Sequence, residues 1–229
     1  MEVKPEIILF DMDGTIVDNS EVVADAYYYG MIELGYNPIS REEIKKLFGR
    51  STYETGRGMG IHEDDLNKID LYFWKYFGAY AEKLQGRPKV YDSVPEILEI
   101  ISSNGIKMGI CTSNESKSAR ILMNKAGLSK YFSVYIGSED LEERKPSPKP
   151  LLLALKKLGF DNSEEPDLKN KVWFVGDTKY DVEAARNANI LAIGISQEST
   201  ADLMLSAEPD IIVDSITDLY FNVDKSWNN

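Results

Sequence analysis

Cysteine and histidine are almost absent from this chain, which has one of each among its 229 residues, Cys111 and His62. A single cysteine forms neither a disulfide framework nor a thiolate metal site within one chain, and this favours a reducing, intracellular compartment. Cys111 lies inside a predicted apolar strand, where a thiol packs as an inert core group. His62 is isolated between predicted helices, so we assign a catalytic part to neither residue.

Long apolar runs and clusters of basic residues are also missing. No uninterrupted hydrophobic stretch reaches the length that spans a bilayer, so we expect a cytoplasmic chain without membrane or targeting segments. The formal net charge of −12 disfavours binding to nucleic acid or to anionic membranes. Hydrophobic residues make up 43% of the chain, which suffices for a core without cross-links. The oligomeric state stays open, and a monomer is compatible with all of this.

Short apolar segments alternate with helical patterns along most of the chain. They are continuous apolar runs without alternation, which is typical of a parallel sheet covered by helices on both faces. The sequence therefore predicts an α/β fold. The six predicted strands are 6–11, 107–112, 133–136, 171–176, 190–194 and 210–213.

The stretch 18–87 contains no convincing strand and is predicted to be helical. Ser40 and Glu43 match a capping box, which predicts a helix from about residue 41. A longer helix is predicted from Leu66 to Leu84, and its aromatic residues are interpreted mainly as packing between helices. A first helix is predicted from the shared face of Val23, Tyr27, Met31 and Leu34.

A helical insert of this length exceeds what one crossover connection needs, so it is predicted to fold as a separate cap. The predicted division is a core of residues 1–17 and 88–229 and a cap of residues 18–87, joined by linkers near 16–20 and 85–90. Ser93 and Glu96 match a second capping box, which predicts a helix ending at Gly105. The polar segment 159–170 is predicted to be a surface loop.

Two carboxylates follow the first predicted strand directly, in Asp11-Met12-Asp13-Gly14-Thr15. Residues two apart in an extended chain point the same way, so Asp11 and Asp13 are expected to face one site. Gly14 lets the chain turn sharply out of the sheet. Paired acids at the carboxyl end of a buried strand are typical of a nucleophile with an acid/base partner.

Three further segments carry polar groups that suit the same chemistry. A second predicted strand ends in Thr112-Ser113-Asn114, Lys145 lies in a turn stiffened by two prolines, and a third strand leads to Asp177 and Asp181. In this order, the four segments resemble the motifs of the haloacid dehalogenase (HAD) superfamily over roughly residues 7–181, in its phosphatase branch. With the helical insert, the chain resembles the phosphoglycolate phosphatase and beta-phosphoglucomutase-like branch.

This resemblance implies a Rossmann-like parallel sheet with an inserted all-helical cap, and a phosphatase acting on a small phosphorylated metabolite. It implies that Asp11 is the nucleophile, forming an aspartyl-phosphate, and that Asp13 is the general acid and base. The implied phosphate-binding residues are Thr112, Ser113, Asn114 and Lys145.

The resemblance also implies a metal site. Clustered carboxylates and a phosphate repel one another, and oxygen ligands suit a hard divalent cation, which makes Mg²⁺ the expected cofactor. Asp11 and Asp177 would bind it directly, Asp13 through its backbone carbonyl, and Asp181 directly or through water. Asp177 or Asp181 alone could instead cap a helix or supply its acidic first turn.

Several alternatives follow from departures from the family patterns. The dehalogenases lack the second aspartate, and the first motif does not match the phosphonatases. Beta-phosphoglucomutase-like mutases carry a histidine and an arginine where this chain has Val23 and Thr52, so hydrolysis is favoured over phosphoryl transfer to a sugar phosphate. A non-catalytic binding protein on the same fold also remains open.

Arg50 is the one cap residue singled out as a substrate contact. It follows Gly49 in the turn after a predicted cap helix, a region that faces the active site in the family that the chain resembles. A guanidinium there could pair with a second anionic group of the substrate. The alternative is an arginine that stabilises the carboxyl end of its own helix or forms a surface ion pair.

Overall fold

The computed structural model describes residues 4–85, 87–160, 168–196 and 201–219. Its strands form one six-stranded sheet with the order β3-β2-β1-β4-β5-β6, and all neighbours are parallel. The six predicted strands are confirmed, and so is the α/β fold class. The strands are β1 Ile7–Phe10, β2 Lys107–Cys111, β3 Val134–Ile136, β4 Val172–Gly176, β5 Leu191–Ile195 and β6 Ile211–Val213.

Helices cover both faces of this sheet. Alternate residues of β1 enter opposite cores, since Ile8 and Phe10 pack in one hydrophobic cluster and Ile7 and Leu9 in the other. This explains why the strands are apolar without alternation. The first face packs against α6 (Val94–Ser103) and α7 (Ser116–Ala126), and the second against α8 (Lys149–Lys157), α9 (Lys179–Asn187) and α10 (Ala201–Ser206).

Five helices lie between β1 and α6: α1 (Ser20–Glu33), α2 (Arg41–Lys45), α3 (Thr52–Gly58), α4 (Leu66–Gly78) and α5 (Tyr80–Lys83). They bury a hydrophobic cluster of their own, in which the rings of Tyr27 and Phe73 lie 4.5 Å apart. The helical nature of the insert is thus confirmed, whereas the exact division into core and cap stays a prediction.

The two connections between the helical insert and the sheet run side by side. Val17 forms an antiparallel bridge with Val90, and the backbone N–H of Asp18 donates to the carbonyl of Lys89 at 2.9 Å. The ammonium group of Lys89 also lies 2.5 Å from the carboxylate of Asp18. This short ribbon fixes where the insert begins and ends relative to β1.

Local predictions had mixed outcomes. The capping box of Ser40 and Glu43 is confirmed, and α2 begins at Arg41. The capping box of Ser93 is wrong, because Ser93 has a φ of 64° and its side chain makes no capping hydrogen bond, although α6 does begin at the next residue. The single helix predicted from Leu66 to Leu84 is also wrong, because α4 ends at Gly78 and α5 follows as a separate short helix.

Two further observations concern membranes and the predicted surface loop. No helix in the described part of the chain is long and apolar enough to cross a membrane. Most of the predicted loop 159–170, namely residues 161–167, lies outside the described residues.

Candidate active site

Asp11 lies at the carboxyl edge of the sheet, directly after its central strand. Phe10 pairs with Ile110 of β2 and Val175 of β4, so Asp11 is flanked by the ends of both neighbouring strands. Asp11 as a whole residue is 7% exposed. Its Oδ1 accepts a hydrogen bond from the backbone N–H of Met12 at 2.8 Å. This orients a buried carboxylate at the topological centre of the fold.

Gly14 permits the close approach of this turn to the end of β4. Its φ is +79°, and a Cβ built on it would lie 2.0 Å from Oδ2 of Asp177. The neighbouring Thr15 is buried, and its hydroxyl donates to Oδ1 of Asp177 at 3.4 Å. The glycine is therefore needed both for its backbone conformation and for the space that the Asp177 carboxylate fills.

Lys145 brings a cation into the centre of this acidic cluster. Its Nζ lies 2.6 Å from Oδ1 of Asp181 and 3.1 Å from Oδ1 of Asp11, and it donates to the carbonyl of Cys111 at 3.2 Å. Its side chain is only 5% exposed. The two carboxylates raise the pKa of Lys145 against the opposing effect of burial, so the ammonium group stays charged.

Asp181 caps a helix with one oxygen and contacts the buried lysine with the other. Its Oδ2 accepts hydrogen bonds from the backbone N–H of Thr178 at 2.9 Å and from the Thr178 hydroxyl at 2.6 Å, as in a capping box at the start of α9. Its Oδ1 is the oxygen that contacts Lys145. Asp181 is therefore the acid that caps a helix, and it also lies close to Asp11.

The acids of the site outnumber its buried cation, and they fit a metal ion. Oxygen atoms of Asp11, Asp177 and Asp181 lie within 4.8 Å of one another. Burial raises the pKa of Asp11 to about 7, partly offset by Lys145, and burial together with Asp11 holds the pKa of Asp177 well above its usual range. Both shifts have the direction expected for buried carboxylates that lie close to one another, and a divalent cation would supply compensating positive charge.

Asp13 lies two residues beyond Asp11 and is held by two amide groups. The Asn19 side chain donates to its Oδ1, and the Asn114 side chain donates to its Oδ2 at 2.6 Å. Burial raises the pKa of Asp13 to about 6, against the opposing effects of Asn19, Lys145 and Asn114. A carboxyl group with a pKa in this range can hold and release a proton near neutral pH.

The residues after β2 divide into two groups. Ser113 and Asn114 line the cavity above Asp11 and Asp13, and their contact with phosphate stays a prediction. The hydroxyl of Thr112 instead accepts a hydrogen bond from the N–H of Asn114 at 3.1 Å, in a residue that is 7% exposed. Thr112 thus orders the turn that presents Asn114, and its direct contact with phosphate stays a prediction.

Comparisons with known proteins place this geometry in a family. A family model described as haloacid dehalogenase-like hydrolase matches residues 8–195 of the chain. The chain belongs to this family. Among similar proteins, the pyrophosphatase PpaX of Bacillus velezensis is 29% identical over 213 residues, covering 93% of each chain. The phosphoglycolate phosphatase of Agrobacterium fabrum is 26% identical over 216 residues, covering 93% of this chain and 90% of that protein.

Solved structures agree on the fold of this haloacid dehalogenase-like hydrolase. A hydrolase of the same family from Streptococcus pneumoniae matches it with a TM-score of 0.76 and 21% identity, over 95% of this chain and 98% of that one. The family model confirms the superfamily resemblance inferred from the four motifs, and the solved structure agrees with the fold.

The cap of this hydrolase encloses the site from above. A cavity of about 350 Å³ is lined on one side by Asp11, Asp13 and Lys145 and on the other by residues of α1, α3, α4 and the α2–α3 turn. Phe73 and Phe77 of α4 belong both to the hydrophobic core of the helical insert and to the cavity wall, so the predicted packing role of these aromatic side chains is confirmed.

Arg50 lies in the α2–α3 turn and also lines this cavity. Its Nη1 donates to the carbonyl of Lys46 at 3.1 Å, at the carboxyl end of α2. This hydrogen bond is the one expected if Arg50 stabilises the carboxyl end of its own helix. Its position in the cavity wall is the one expected if Arg50 contacts the substrate. Its role as a substrate contact stays a prediction.

Glu54 of α3 links the cap directly to the core. Its Oε2 accepts a hydrogen bond from the hydroxyl of Tyr180 at 2.7 Å, and its Oε1 lies 3.4 Å from Nζ of Lys179. The Tyr180 hydroxyl and the N–H of Ser51 lower the pKa of Glu54 to about 2, so its carboxylate is ionised at any physiological pH. The contact holds α3 over the start of α9, which carries Asp181.

Several site residues were missed from the sequence. Asn19 was not identified, although it is 2% exposed and contacts Asp13. Asn19 lies directly before α1, where asparagine is common as an N-cap, so nothing in its local sequence indicates a contact with Asp13. Three further residues were missed, namely Glu54, Asp70 and Tyr180. Each is placed by contacts between segments that are distant in the chain, and a local sequence pattern does not show such contacts.

Proposed function

We propose that this haloacid dehalogenase-like phosphatase is a Mg²⁺-dependent phosphomonoesterase for a small phosphorylated metabolite and works through an aspartyl-phosphate on Asp11. The observation that carries the proposal is the convergence of Asp11, Asp13, Lys145 and Asp177 at one edge of the sheet, where all four line one cavity and Asp11, Asp177 and the side chain of Lys145 are buried. The similar proteins named phosphoglycolate phosphatase and pyrophosphatase support this class of substrate. A cytoplasmic location stays a prediction.

In the proposed reaction, a carboxylate oxygen of Asp11 attacks phosphorus while the bond from phosphorus to the leaving oxygen breaks. Asp13 gives its proton to that oxygen, which departs as an alcohol. Asp13 then takes a proton from a water molecule, whose oxygen attacks phosphorus and releases inorganic phosphate and the Asp11 carboxylate. Lys145 offsets negative charge on the phosphoryl group and on Asp11 throughout.

Asn19 and Asn114 orient Asp13 for both proton transfers, because each amide fixes one of its two oxygens. Ser113 and Asn114 supply polar groups beside the phosphoryl position. Residues of the helical insert form the cavity wall opposite Asp11, where they lie against the leaving group of a bound ester.

Asp11, Asp177 and Asp181, with the backbone carbonyl of Asp13, are the residues that would hold Mg²⁺. The ion would neutralise phosphoryl oxygens and so let an anionic substrate approach an anionic nucleophile. The clustered oxygens and the raised pKa values of Asp11 and Asp177 support this assignment.

We expect removal of divalent cations to abolish turnover of p-nitrophenyl phosphate. Adding Mg²⁺ should restore it. The buried acids then lose their main compensating charge, so substrate binding is electrostatically unfavourable. Steady-state kinetics after treatment with EDTA, with Ca²⁺ as a size-mismatched control ion, measure this. Unchanged turnover in EDTA would contradict the metal assignment.

Hydrolysis is favoured over mutase chemistry by the cavity wall itself. Val23 and Thr52, which occupy the positions of the mutase histidine and arginine, both line the cavity. An apolar side chain and a short hydroxyl at these places offer neither a further acid/base group nor a cation for a second phosphate. The non-catalytic alternative is tested by the same turnover assay, since a binding protein would release no phosphate.

We expect Asp13→Asn to impair hydrolysis most for esters with poor leaving groups. An alkoxide leaves only if it is protonated, whereas a nitrophenolate leaves without protonation. Loss of the general acid therefore lowers the rate of hydrolysis mainly for alkyl phosphates. The expected loss is about 100-fold or more for an alkyl phosphate and clearly smaller for p-nitrophenyl phosphate. Rates for a series of esters of increasing leaving-group basicity measure this, with Asp64→Asn, at an exposed site outside the cavity, as the control. Equal losses across the series would exclude the assigned role.

A further inference from the structure

The cap wall of the cavity contains one acidic side chain, Asp70 of α4, that the reaction does not use. Its Oδ1 accepts two hydrogen bonds, one from the hydroxyl of Thr52 and one from Nε1 of Trp74 at 3.2 Å. In the part of the chain that the structure describes, its Oδ2 has no hydrogen-bond partner. Asp70 thus presents a fixed carboxylate with an unused acceptor in a wall of the substrate cavity.

The side chains around Asp70 are aromatic. The ring of Trp74 lies 5.0 Å from Phe73 and 6.0 Å from Phe77, and all three line the cavity. Trp74 is also held from the core side, where the guanidinium of Arg144 lies 5.6 Å from its ring centroid. Rigid aromatic rings with one oriented polar group are typical of a wall that recognises an organic moiety.

Besides Lys145, two further cations line the cavity, and they differ from Asp70 in how they are engaged. Arg50 already donates to a helix carbonyl, and Arg144 is exposed and lies over Trp74. Asp70, in contrast, has one oxygen fully engaged and the other without a partner. An anionic leaving group placed against α4 would therefore meet a fixed negative charge.

Resting on the proposed phosphatase function, we propose that Asp70 selects the leaving group. The substrate carries an apolar, preferably planar, leaving group that packs on Trp74 and ends in a hydrogen-bond donor, a hydroxyl or an ammonium, which binds Asp70. A phosphate or carboxylate at that place is rejected by like-charge repulsion. The cavity of about 350 Å³ lies in the range of pockets that hold small organic ligands and has room for such a group.

The test uses aryl phosphates that differ only at the para position. We expect the full-length protein with Mg²⁺ to prefer 4-(aminomethyl)phenyl and 4-(hydroxymethyl)phenyl phosphate over 4-carboxyphenyl phosphate, by about tenfold or more in kcat/KM. Asp70→Asn keeps the shape but loses the charge, so it is expected to reduce the aminomethyl-to-carboxy ratio by about tenfold. The change should lie mainly in KM.

Two control variants separate this from other causes. Asp64→Asn makes the same charge change at an exposed site outside the cavity and should leave the ratio unchanged. If Arg50→Ala rather than Asp70→Asn changes the ratio, the cavity selects the leaving group by binding an anionic group to Arg50, and the proposal is wrong. An Asp70→Asn protein with the wild-type ratio also overturns it. Absence of phosphate release from every ester, in contrast, would refute the proposed phosphatase function itself.

Discussion

Asp11→Asn is expected to lower kcat by at least about three orders of magnitude, because an amide cannot attack phosphorus. The substitution is nearly isosteric, and the remaining carbonyl oxygen can still accept the N–H of Met12. Turnover of p-nitrophenyl phosphate and detection of a phosphorylated enzyme after rapid quenching measure the effect. Near-normal turnover by this variant would exclude Asp11 as the nucleophile.

The Asp11→Asn variant should remain folded, which makes its loss of activity interpretable. Burial raises the pKa of Asp11 to about 7, so the ionised carboxylate is disfavoured in the metal-free folded state relative to the unfolded chain. A neutral amide removes this penalty. We therefore expect a melting temperature in EDTA equal to or above that of the wild type near pH 8.

Lys145→Met is expected to produce the second large effect, on both activity and stability. The ammonium group is the cation that touches Asp11 and Asp181 in the buried cluster, and its side chain is 5% exposed. Removing one partner from a buried ion pair costs about 3–5 kcal/mol of unfolding free energy. We expect kcat to fall by roughly 100-fold or more, since phosphoryl charge also loses its partner.

The stability loss in Lys145→Met should depend on pH with a defined sign. Lys145 lowers the pKa of Asp11, so its removal raises that pKa beyond about 7. The folded variant then binds a proton that the unfolded chain releases, and its unfolding free energy falls further as pH rises through this range. Urea denaturation in EDTA at pH 6 and pH 8 measures this. Lys149→Met, which removes an exposed lysine paired with Glu143, is the control and should have a small effect at both values.

The largest errors of sequence interpretation came from local patterns that the tertiary structure overrides. Ser93 and Glu96 have the spacing of a capping box, yet Ser93 adopts a left-handed conformation from which its side chain makes no cap. The apolar periodicity from Leu66 to Leu84 continues across Ala79, although the helix itself does not. Periodicity reports which side chains are buried, and it does not report where the backbone breaks.

Asp181 had two interpretations from the sequence, of which the structure confirms the helix cap while the metal ligand stays a prediction. The spacing to Thr178 allowed a helix cap, and the position after β4 allowed a metal ligand. The structure realises the cap with one oxygen and the contact with Lys145 with the other. A local pattern could not choose between them because a carboxylate has two oxygens and the second partner lies 36 residues away.

The sequence by itself determined the sheet, the acids at its carboxyl edge and the family. Continuous apolar strands must be buried on both faces, and residues two apart in an extended segment share a side, so Asp11 and Asp13 follow from local geometry. Only the tertiary structure decided that Asn19 holds Asp13, that Glu54 meets Tyr180, and that Asp70 faces the substrate cavity. Glu54 and Tyr180 are 126 residues apart, and their contact depends on how the helical insert packs against the sheet domain. Asn19 is only six residues from Asp13, but the turn between them, not a local preference, brings the two side chains together.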